Sequence, residues 1–104
     1  MTQVAVIAKL TAVEGKSEEL TAAIADLVTE VRDTETGTLV YAAAHDTAEP
    51  NVFWFYEFYE SSDAAGAHTD GAALAEAGQR MRGLLAGRPE VHRLVPLADK
   101  GLPR

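Results

Sequence analysis

Six of the seven aromatic residues in this 104-residue chain lie within seven consecutive positions, 53–59. The segment from Val52 to Tyr59 has the aromatic and β-branched composition typical of a strand. Side chains alternate between the two faces of a strand, which divides the segment into two sets. The first face carries Phe53, Phe55, Glu57 and Tyr59, and the second carries Val52, Trp54, Tyr56 and Phe58. Because neither face is polar, we expect both to be covered.

Strand and helix periodicities predict the preceding elements. Residues 3–11 form an apolar, β-branched strand, and one of its faces carries Val4, Val6, Ala8 and Leu10. After a break at Gly15, apolar residues recur at helical spacing from Lys16 to about Asp33, which predicts an amphipathic helix. A second strand is predicted from Thr38 to His45, and the turn-forming run 44–51 connects it to the aromatic strand.

The last part of the chain predicts a second helix and a final strand. The serine pair 61–62 can cap this helix, which we expect to falter near Asp70-Gly71 and then resume until residues 87–89 end it. Its predicted apolar side carries Leu74, Met81, Leu84 and Leu85. Residues Val91 to Leu97 are predicted to form the final strand.

The resulting order, β-α-β-β-α-β, is that of the ferredoxin-like α+β fold, an antiparallel sheet with both helices on one face. We assign residues 1–104 to a single domain, with its core at about 3–98 and a C-terminal tail at 99–104. The helices cover only one face of such a sheet, and soluble monomers rarely expose a large apolar patch on the other. We therefore expect a homodimer with Trp54, Tyr56 and Phe58 at a sheet-to-sheet interface.

Composition and charge exclude several classes of protein. The chain has no cysteine, which excludes disulfide scaffolds, thiolate metal sites and cysteine nucleophiles. No apolar run approaches the ~20 residues of a membrane span, so we expect a soluble, cytoplasmic protein with no membrane partner. The three histidines lack metal-ligand spacing, so no metal site is expected.

The charge is unevenly distributed. The formal net charge is −7, yet residues 80–104 hold six basic and two acidic side chains. These basic residues are spread out and lie apart from the aromatic strand, so no nucleic-acid partner is expected. They either belong to a solvated surface with subunit contacts, or one or two of the arginines meet an anionic ligand. The spacing does not select which arginine this would be.

Two titratable residues are candidates for chemistry. Glu57 lies on the strand face that the helices cover, where a carboxylate must be hydrogen-bonded, paired or protonated. It either satisfies nearby donors structurally or lines a cavity that a ligand reaches. His68 follows four small residues early in the second helix, where it either packs against the sheet or takes part in proton transfer. His45 and His92 are expected on the surface.

Three short motifs follow one another at spacings that are informative together. They are Glu35-x-Gly37-x-x-x-Tyr41, Phe53-x-x-Tyr56-Glu57-x-Tyr59 and Ala64-x-x-x-His68. In this order they resemble the successive signatures of the antibiotic-biosynthesis monooxygenase family, over about residues 3–98. The resemblance implies a dimeric α+β barrel, made by pairing two ferredoxin-like sheets, with a pocket between each sheet and its helices. It also implies that this pocket is lined by Phe55, Glu57, Tyr59 and His68.

The same resemblance implies an activity. Several family members oxidise polycyclic phenols or quinols with O₂ and without metal, flavin or haem, so no cofactor is expected. The motif order is most similar to that of the quinol-oxidising branch, which carries a further histidine where this chain has Ala73. The polyketide-oxidising branch has a different hydrogen-bonding set at the positions of Phe55, Tyr59 and Ala65.

The haem-degrading branch differs at three positions, which are Ala8, His68 and Gly78 in this chain, so haem degradation is disfavoured. The leading hypothesis is a cofactor-independent monooxygenase of phenolic or quinol aromatics, in which His68 or Glu57 assists deprotonation. Phe53, Phe55 and Tyr59 would hold the substrate. The alternatives are a non-catalytic small-molecule-binding or accessory protein that uses the same pocket and, less favoured, a haem-binding protein.

Overall fold

The chain forms the expected succession of strands and helices, with the second helix divided in two. A computed structural model describes residues 2–103, so Met1 and Arg104 of the predicted domain lie outside the described residues. The elements are β1 (Val4–Thr11), α1 (Ser17–Thr34), β2 (Thr38–His45), β3 (Val52–Tyr59), α2 (Ser62–Thr69), α3 (Ala72–Arg80) and β4 (Glu90–Leu94). Strands β2 and β3 have the bounds predicted from the sequence.

The strands of the described range form one antiparallel sheet in the order β2-β3-β1-β4. The aromatic strand β3 therefore lies inside the sheet, with its backbone hydrogen-bonded to β1 on one side and β2 on the other. This topology is the ferredoxin-like α+β fold that the order of elements predicts.

The main apolar core lies between one face of the sheet and the helices α1 and α3. The predicted face of β1 is buried throughout, with Ala8 and Leu10 in this core and Val4 and Val6 in a smaller cluster with Tyr59 and Ala65. Helix α1 contributes the predicted stripe, of which Val28 is only half-buried. The fully buried side chains of the stripe are Leu20, Ile24, Leu27 and Val31. Burying each such side chain contributes roughly 1.5–3 kcal/mol, so α1 is held mainly by this stripe.

Local chemistry accounts for both ends of α2. The Ser61 side chain accepts a hydrogen bond from the Ala64 backbone N–H at 3.1 Å, which caps the first turn. The helix ends at Thr69, and Gly71 then caps α3, so the predicted break at Asp70-Gly71 is confirmed.

The predicted end of the second helical segment is wrong. It ends at Arg80 rather than at residues 87–89, because the chain turns at Gly83, whose φ of 80° is in the left-handed region. The chain that follows then pairs with the end of β1. The Ala86 N–H donates to the Thr11 carbonyl and the Val13 N–H donates to the Leu84 carbonyl, each at 2.8 Å.

The final strand is shorter than predicted, since β4 ends at Leu94 rather than at Leu97. It pairs only with residues Ala5–Lys9 of β1, and Pro96, which has no backbone N–H, cannot extend the ladder. Leu97 is 95% exposed. Strand β4 is thus a short edge strand beside β1.

The second face of β3 is covered unevenly within the single chain. Trp54 and Tyr56 are half-buried, as an open face predicts, but Phe58 is 0% exposed. The expectation that Phe58 lies at a subunit interface is therefore wrong. The C-terminal segment returns to this end of the sheet, where the Gln3 side-chain amide donates to the Pro103 carbonyl at 3.3 Å.

Two glycines near α2 give a matched test of its packing. A Cβ at Gly37 would lie 2.7 Å from the Ala64 Cβ, whereas a Cβ at Gly66 would meet no atom within 4 Å. We expect Gly37→Ala to destabilise the protein by about 1–3 kcal/mol through overpacking. Gly66→Ala, inside the helix, should stabilise it by about 0.5–1 kcal/mol. Urea unfolding midpoints would measure both, and a Gly37→Ala variant as stable as the wild type would contradict this packing.

Candidate active site

A cavity of about 450 Å³ lies between the sheet and the helices α2 and α3, and it reaches the edge strand β4. Its floor is the helix-facing side of β1 and β3, and its walls are mostly apolar. Four of the site residues expected from the sequence line it: Phe55, Glu57, Tyr59 and His68. The structure thus brings the two candidate titratable residues to one space.

The fifth expected residue, Phe53, lies elsewhere. Its ring packs against His45, with ring centroids 4.6 Å apart, and it borders a separate depression between α1 and β2. Phe53 is on the same strand face as Phe55, but it lies two residues further along β3 from the end that leads to α2. Alternation predicts which face a residue occupies, but it does not predict where along that face a cavity opens.

Glu57 is 7% exposed, and its Oε1 atom accepts a hydrogen bond from the Tyr59 hydroxyl at 2.5 Å. The two residues are next-but-one neighbours on β3, so they point to the same side of the sheet. The sequence left open whether Glu57 is satisfied structurally or faces a cavity, and in the structure both hold. It is anchored by Tyr59 and lines the cavity wall.

Burial determines the proton affinities at this end of the cavity. Removal from water raises the pKa of Glu57, an effect that the hydrogen bond from Tyr59 and the nearby His68 partly oppose. Burial, followed by contact with Glu57, also raises the pKa of the Tyr59 hydroxyl. The pKa of Tyr41 is raised by burial and by the negative charge of the two neighbouring glutamates. Both tyrosines are therefore neutral hydrogen-bond donors.

The imidazole of His68 is fixed by a carboxylate from a distant part of the chain. Its Nδ1 atom lies 2.8 Å from Glu35 Oε1, and the same oxygen accepts the Thr38 hydroxyl at 2.9 Å. Because a carboxylate oxygen only accepts hydrogen bonds, the ring proton of the neutral imidazole lies on Nδ1. The other ring nitrogen, Nε2, then keeps its lone pair. No partner is found for Nε2, and among the described residues no fully buried side-chain nitrogen or oxygen lacks a partner, so Nε2 is accessible rather than fully buried. His68 lines the cavity, and its Nε2 lies on the side of the ring away from Glu35.

Two tyrosine rings hold the His68 ring from the sides. The Tyr41 ring meets it edge-on with centroids 4.9 Å apart, and the Tyr59 ring lies 5.7 Å away. Tyr41 also packs on Phe55, at 5.4 Å. His68 is 5% exposed, and these ring contacts restrict the rotation of its imidazole.

His68 and Glu35 also border a second depression, of about 410 Å³, between the start of β2 and the junction of α2 and α3. Glu35 does not line the first cavity. The hydrogen-bonded pair therefore lies between the two spaces, because Glu35 borders only the second and His68 borders both. This arrangement can take a proton from a ligand at Nε2 and stabilise the resulting imidazolium through Glu35.

Sequence reasoning missed Glu35, Tyr41 and Arg93 as site residues. The first two were visible as members of the Glu35-x-Gly37-x-x-x-Tyr41 motif, but nothing in their spacing placed them beside His68. Arg93 is paired with Val6 in the sheet register, and Val6 with Glu57, so all three share one row on the helix-facing side. That row is set by strand pairing, which the sequence alone does not give.

Residues 2–103 contain no group of three or more histidine, cysteine, aspartate or glutamate side chains placed to hold a metal ion. No helix in this part of the chain is long and apolar enough to cross a membrane.

Replacing Glu57 with glutamine gives a test that depends on pH. Because burial raises its pKa in the folded state, the stabilisation associated with protonated Glu57 is fully present below its ordinary pKa and is lost as the pH rises through the raised value. Glutamine cannot ionise. We therefore expect the stability of Glu57→Gln relative to wild type to increase by on the order of 1 kcal/mol between about pH 5 and pH 8.

Urea unfolding at the two pH values would measure this difference, with Glu60→Gln as the control on an exposed side chain. An equal stability difference between Glu57→Gln and wild type at both pH values would contradict the burial of an ionisable group at this position.

Comparisons with known proteins agree with this architecture. The sequence profile described as antibiotic biosynthesis monooxygenase matches residues 3–80. A Caulobacter crescentus protein with a provisional assignment as such a monooxygenase is 29% identical, with a TM-score of 0.88, covering 93% of this chain and 92% of its own. A Pseudomonas aeruginosa protein is 26% identical, with a TM-score of 0.85 and coverages of 94% and 97%.

A Mycobacterium tuberculosis protein shares the fold at 24% identity, with a TM-score of 0.86 and coverages of 96% and 100%. Comparison with functionally curated proteins gives no match. The profile match extends over three quarters of the sequence, from β1 to the end of α3. On this evidence, the chain belongs to the antibiotic biosynthesis monooxygenase family.

Proposed function

We propose that this protein is a monooxygenase that oxidises a phenolic or quinol-type aromatic molecule with O₂ and without a cofactor. The observation that carries the proposal is the orientation of His68. Its Nδ1 is bound to Glu35 at 2.8 Å, so its Nε2 faces away from that carboxylate, and the residue lines a largely apolar cavity. A base fixed in this way at the wall of an aromatic-lined space is suited to removing a phenolic proton.

The cavity suits a flat aromatic ligand. Its volume of about 450 Å³ lies within the range of small-molecule sites, which is roughly 300–1,000 Å³. Phe55 and the rings of Tyr41 and Tyr59 supply faces for stacking, while α3 contributes the small residues Ala77 and Gly78. Apart from Arg93, the charged and hydroxyl-bearing side chains of the lining gather around His68, so a ligand hydroxyl would be directed there.

Deprotonation is what the protein can add to this reaction. A phenolate gives an electron to O₂ more readily than the neutral phenol does, so a placed base lowers the barrier to the first step. His68 takes the proton at Nε2, Glu35 stabilises the imidazolium, and the neutral Tyr41 hydroxyl can donate to the substrate oxygen. For a quinol, one O₂ enters and one hydroxyquinone and one water leave. One oxygen atom forms the new C–O bond, and the other leaves as water with the two hydrogens that the quinol loses on oxidation.

Family membership supports the same class of reaction, because the matching profile and the Caulobacter crescentus relative both carry a monooxygenase assignment. Glu57 is the second candidate for proton transfer. Burial raises its pKa, so its carboxylate takes up a proton more readily than an exposed one, and in this proposal it is the alternative base for the substrate hydroxyl.

His68→Asn separates the role of Nε2 from that of the Glu35 contact, because the asparagine amide nitrogen can replace Nδ1 but nothing replaces Nε2. With a panel of hydroquinones and anthrones, we expect O₂ uptake to fall about 10²–10⁴-fold in His68→Asn. Glu35→Gln should lower it less, because it removes the stabilisation of the imidazolium but leaves Nε2 in place. O₂ consumption and product spectra measure both effects.

Tyr56→Phe, on the opposite face of β3, is the matched control and should keep wild-type activity. Unchanged uptake in both His68→Asn and Glu57→Gln would remove the residue assignment. Saturable binding of the same compounds without any turnover would replace the proposal with the alternative of a binding or accessory protein.

A homodimer is the second part of the proposal. The helices all lie on one side of the sheet, and the other side presents Trp54, Tyr56 and Ile7 half-buried in the single chain. Trp54 is fixed there, since its Nε1 donates to Asp46 Oδ2 at 2.8 Å and the Lys9 ammonium lies over its ring, 5.7 Å from the ring centre. A fixed apolar surface of this kind favours a second sheet as its cover.

A charge placed in this face should prevent the pairing. We expect the wild type to sediment as a dimer at micromolar concentration and Tyr56→Lys to sediment as a monomer, because the lysine would be buried without a partner. Ala22→Lys, on the exposed side of α1, should remain dimeric. A monomeric wild type would contradict this assembly.

A further inference from the structure

We infer that the substrate of this site carries an anionic group, such as a carboxylate, at the end remote from the oxidised hydroxyl, and that Arg93 binds it. The inference rests on the proposed function for the hydroxyl end of the ligand. The position of the arginine at the other end of the same cavity is independent of the chemistry. Arg93 would then be the arginine of the basic C-terminal segment that meets an anionic ligand.

Arg93 is the one cationic side chain that lines the cavity within residues 2–103. It lies on β4, and the β4–β1 register pairs it with Val6, whose side chain points into the same cavity. The arginine and lysine ion pairs found in the described part of the chain use Lys16, Arg32 and Arg80, so the guanidinium of Arg93 has no carboxylate partner there. An exposed guanidinium at a cavity mouth is therefore available to a ligand.

The two ends of the cavity have complementary chemistry. Tyr41, Glu57, Val6 and Arg93 form one row across the sheet. With strands about 4.8 Å apart, the backbone of Arg93 lies about 10 Å from that of Glu57 and about 14 Å from that of Tyr41. A rigid aromatic ligand with a hydroxyl at one end and a carboxylate at the other can span this separation. The apolar middle would hold its ring.

The surroundings of the mouth favour an anion although the whole chain is acidic. The part of the lining that comes from the C-terminal quarter of the chain consists of Met81, Leu85, Pro89, Val91 and the exposed Arg93. These residues belong to the segment 81–93, which holds three arginines and one acidic residue in a chain of net charge −7. A local positive potential at an opening draws anions towards it.

Binding can be tested without turnover by using two molecules of the same shape. The anionic probe is para-hydroxycinnamate, with a phenol and a carboxylate at opposite ends, and the neutral probe is para-hydroxycinnamamide. By calorimetric titration we expect the wild type to bind the carboxylate about tenfold more tightly than the amide. This preference should shrink as salt rises, because screening weakens a contact at an open mouth.

Arg93→Ala should abolish the preference by weakening carboxylate binding about tenfold while leaving amide binding unchanged. Arg93→Lys should retain part of it, and Arg82→Ala, outside the cavity lining, should retain all of it. The inference is overturned if the wild type binds both probes equally or neither at millimolar concentration. Equal weakening of both probes in Arg93→Ala, or loss of the preference in Arg82→Ala, would overturn it as well.

Oxygen uptake with hydroquinones that carry or lack a remote carboxylate separates this inference from the proposed function. A binding preference that depends on Arg93 in the absence of any uptake would leave the anion site standing and reject the oxidation. Uptake that is equally fast for both hydroquinones in wild type and Arg93→Ala would support the oxidation and reject the anion site.

Discussion

The interior position of β3 is the constraint on which the rest of the structure depends. A strand paired on both sides has no free backbone edge, and this one is aromatic or aliphatic on both faces apart from Glu57. The helices can cover only one of those faces. On that face the carboxylate cannot reach bulk water, so it takes the nearest donor, the Tyr59 hydroxyl two residues along the strand. The polar end of the cavity thus follows from placing a single glutamate in an otherwise apolar strand.

Local patterns were sufficient for most of the fold. The bounds of β2 and β3 and the break between α2 and α3 were predictable, because alternation, turn residues and capping act over a few positions. The wrong predictions concern places where segments that are distant in the sequence contact each other. The second helical segment ends early because residues 84–86 pair with the end of β1. Phe58 is covered although local alternation places it on the open face, at the end of the sheet to which the C-terminal segment returns.

In the candidate site, too, the local features were predictable from the sequence and the long-range contacts were not. Glu57 and His68 could be singled out from the sequence, because a carboxylate in an aromatic strand and a histidine after small residues are both locally unusual. Their partners could not be identified in the same way. Glu35 is 33 positions from His68, and Arg93 reaches the cavity only through the register between β4 and β1. Both connections depend on tertiary pairing, which residue type and spacing do not encode.

The contact between Gly37 and Ala64 explains why two of the sequence motifs occur together. A hydrogen in place of a side chain at Gly37 lets the first turn of α2 approach the start of β2, since a Cβ there would lie 2.7 Å from that of Ala64. His68 follows Ala64 by four residues and so lies on the same side of α2, while Glu35 precedes Gly37 by two. The close approach of the two backbones therefore brings the imidazole within hydrogen-bonding distance of Glu35, and the two motifs are the two sides of one contact.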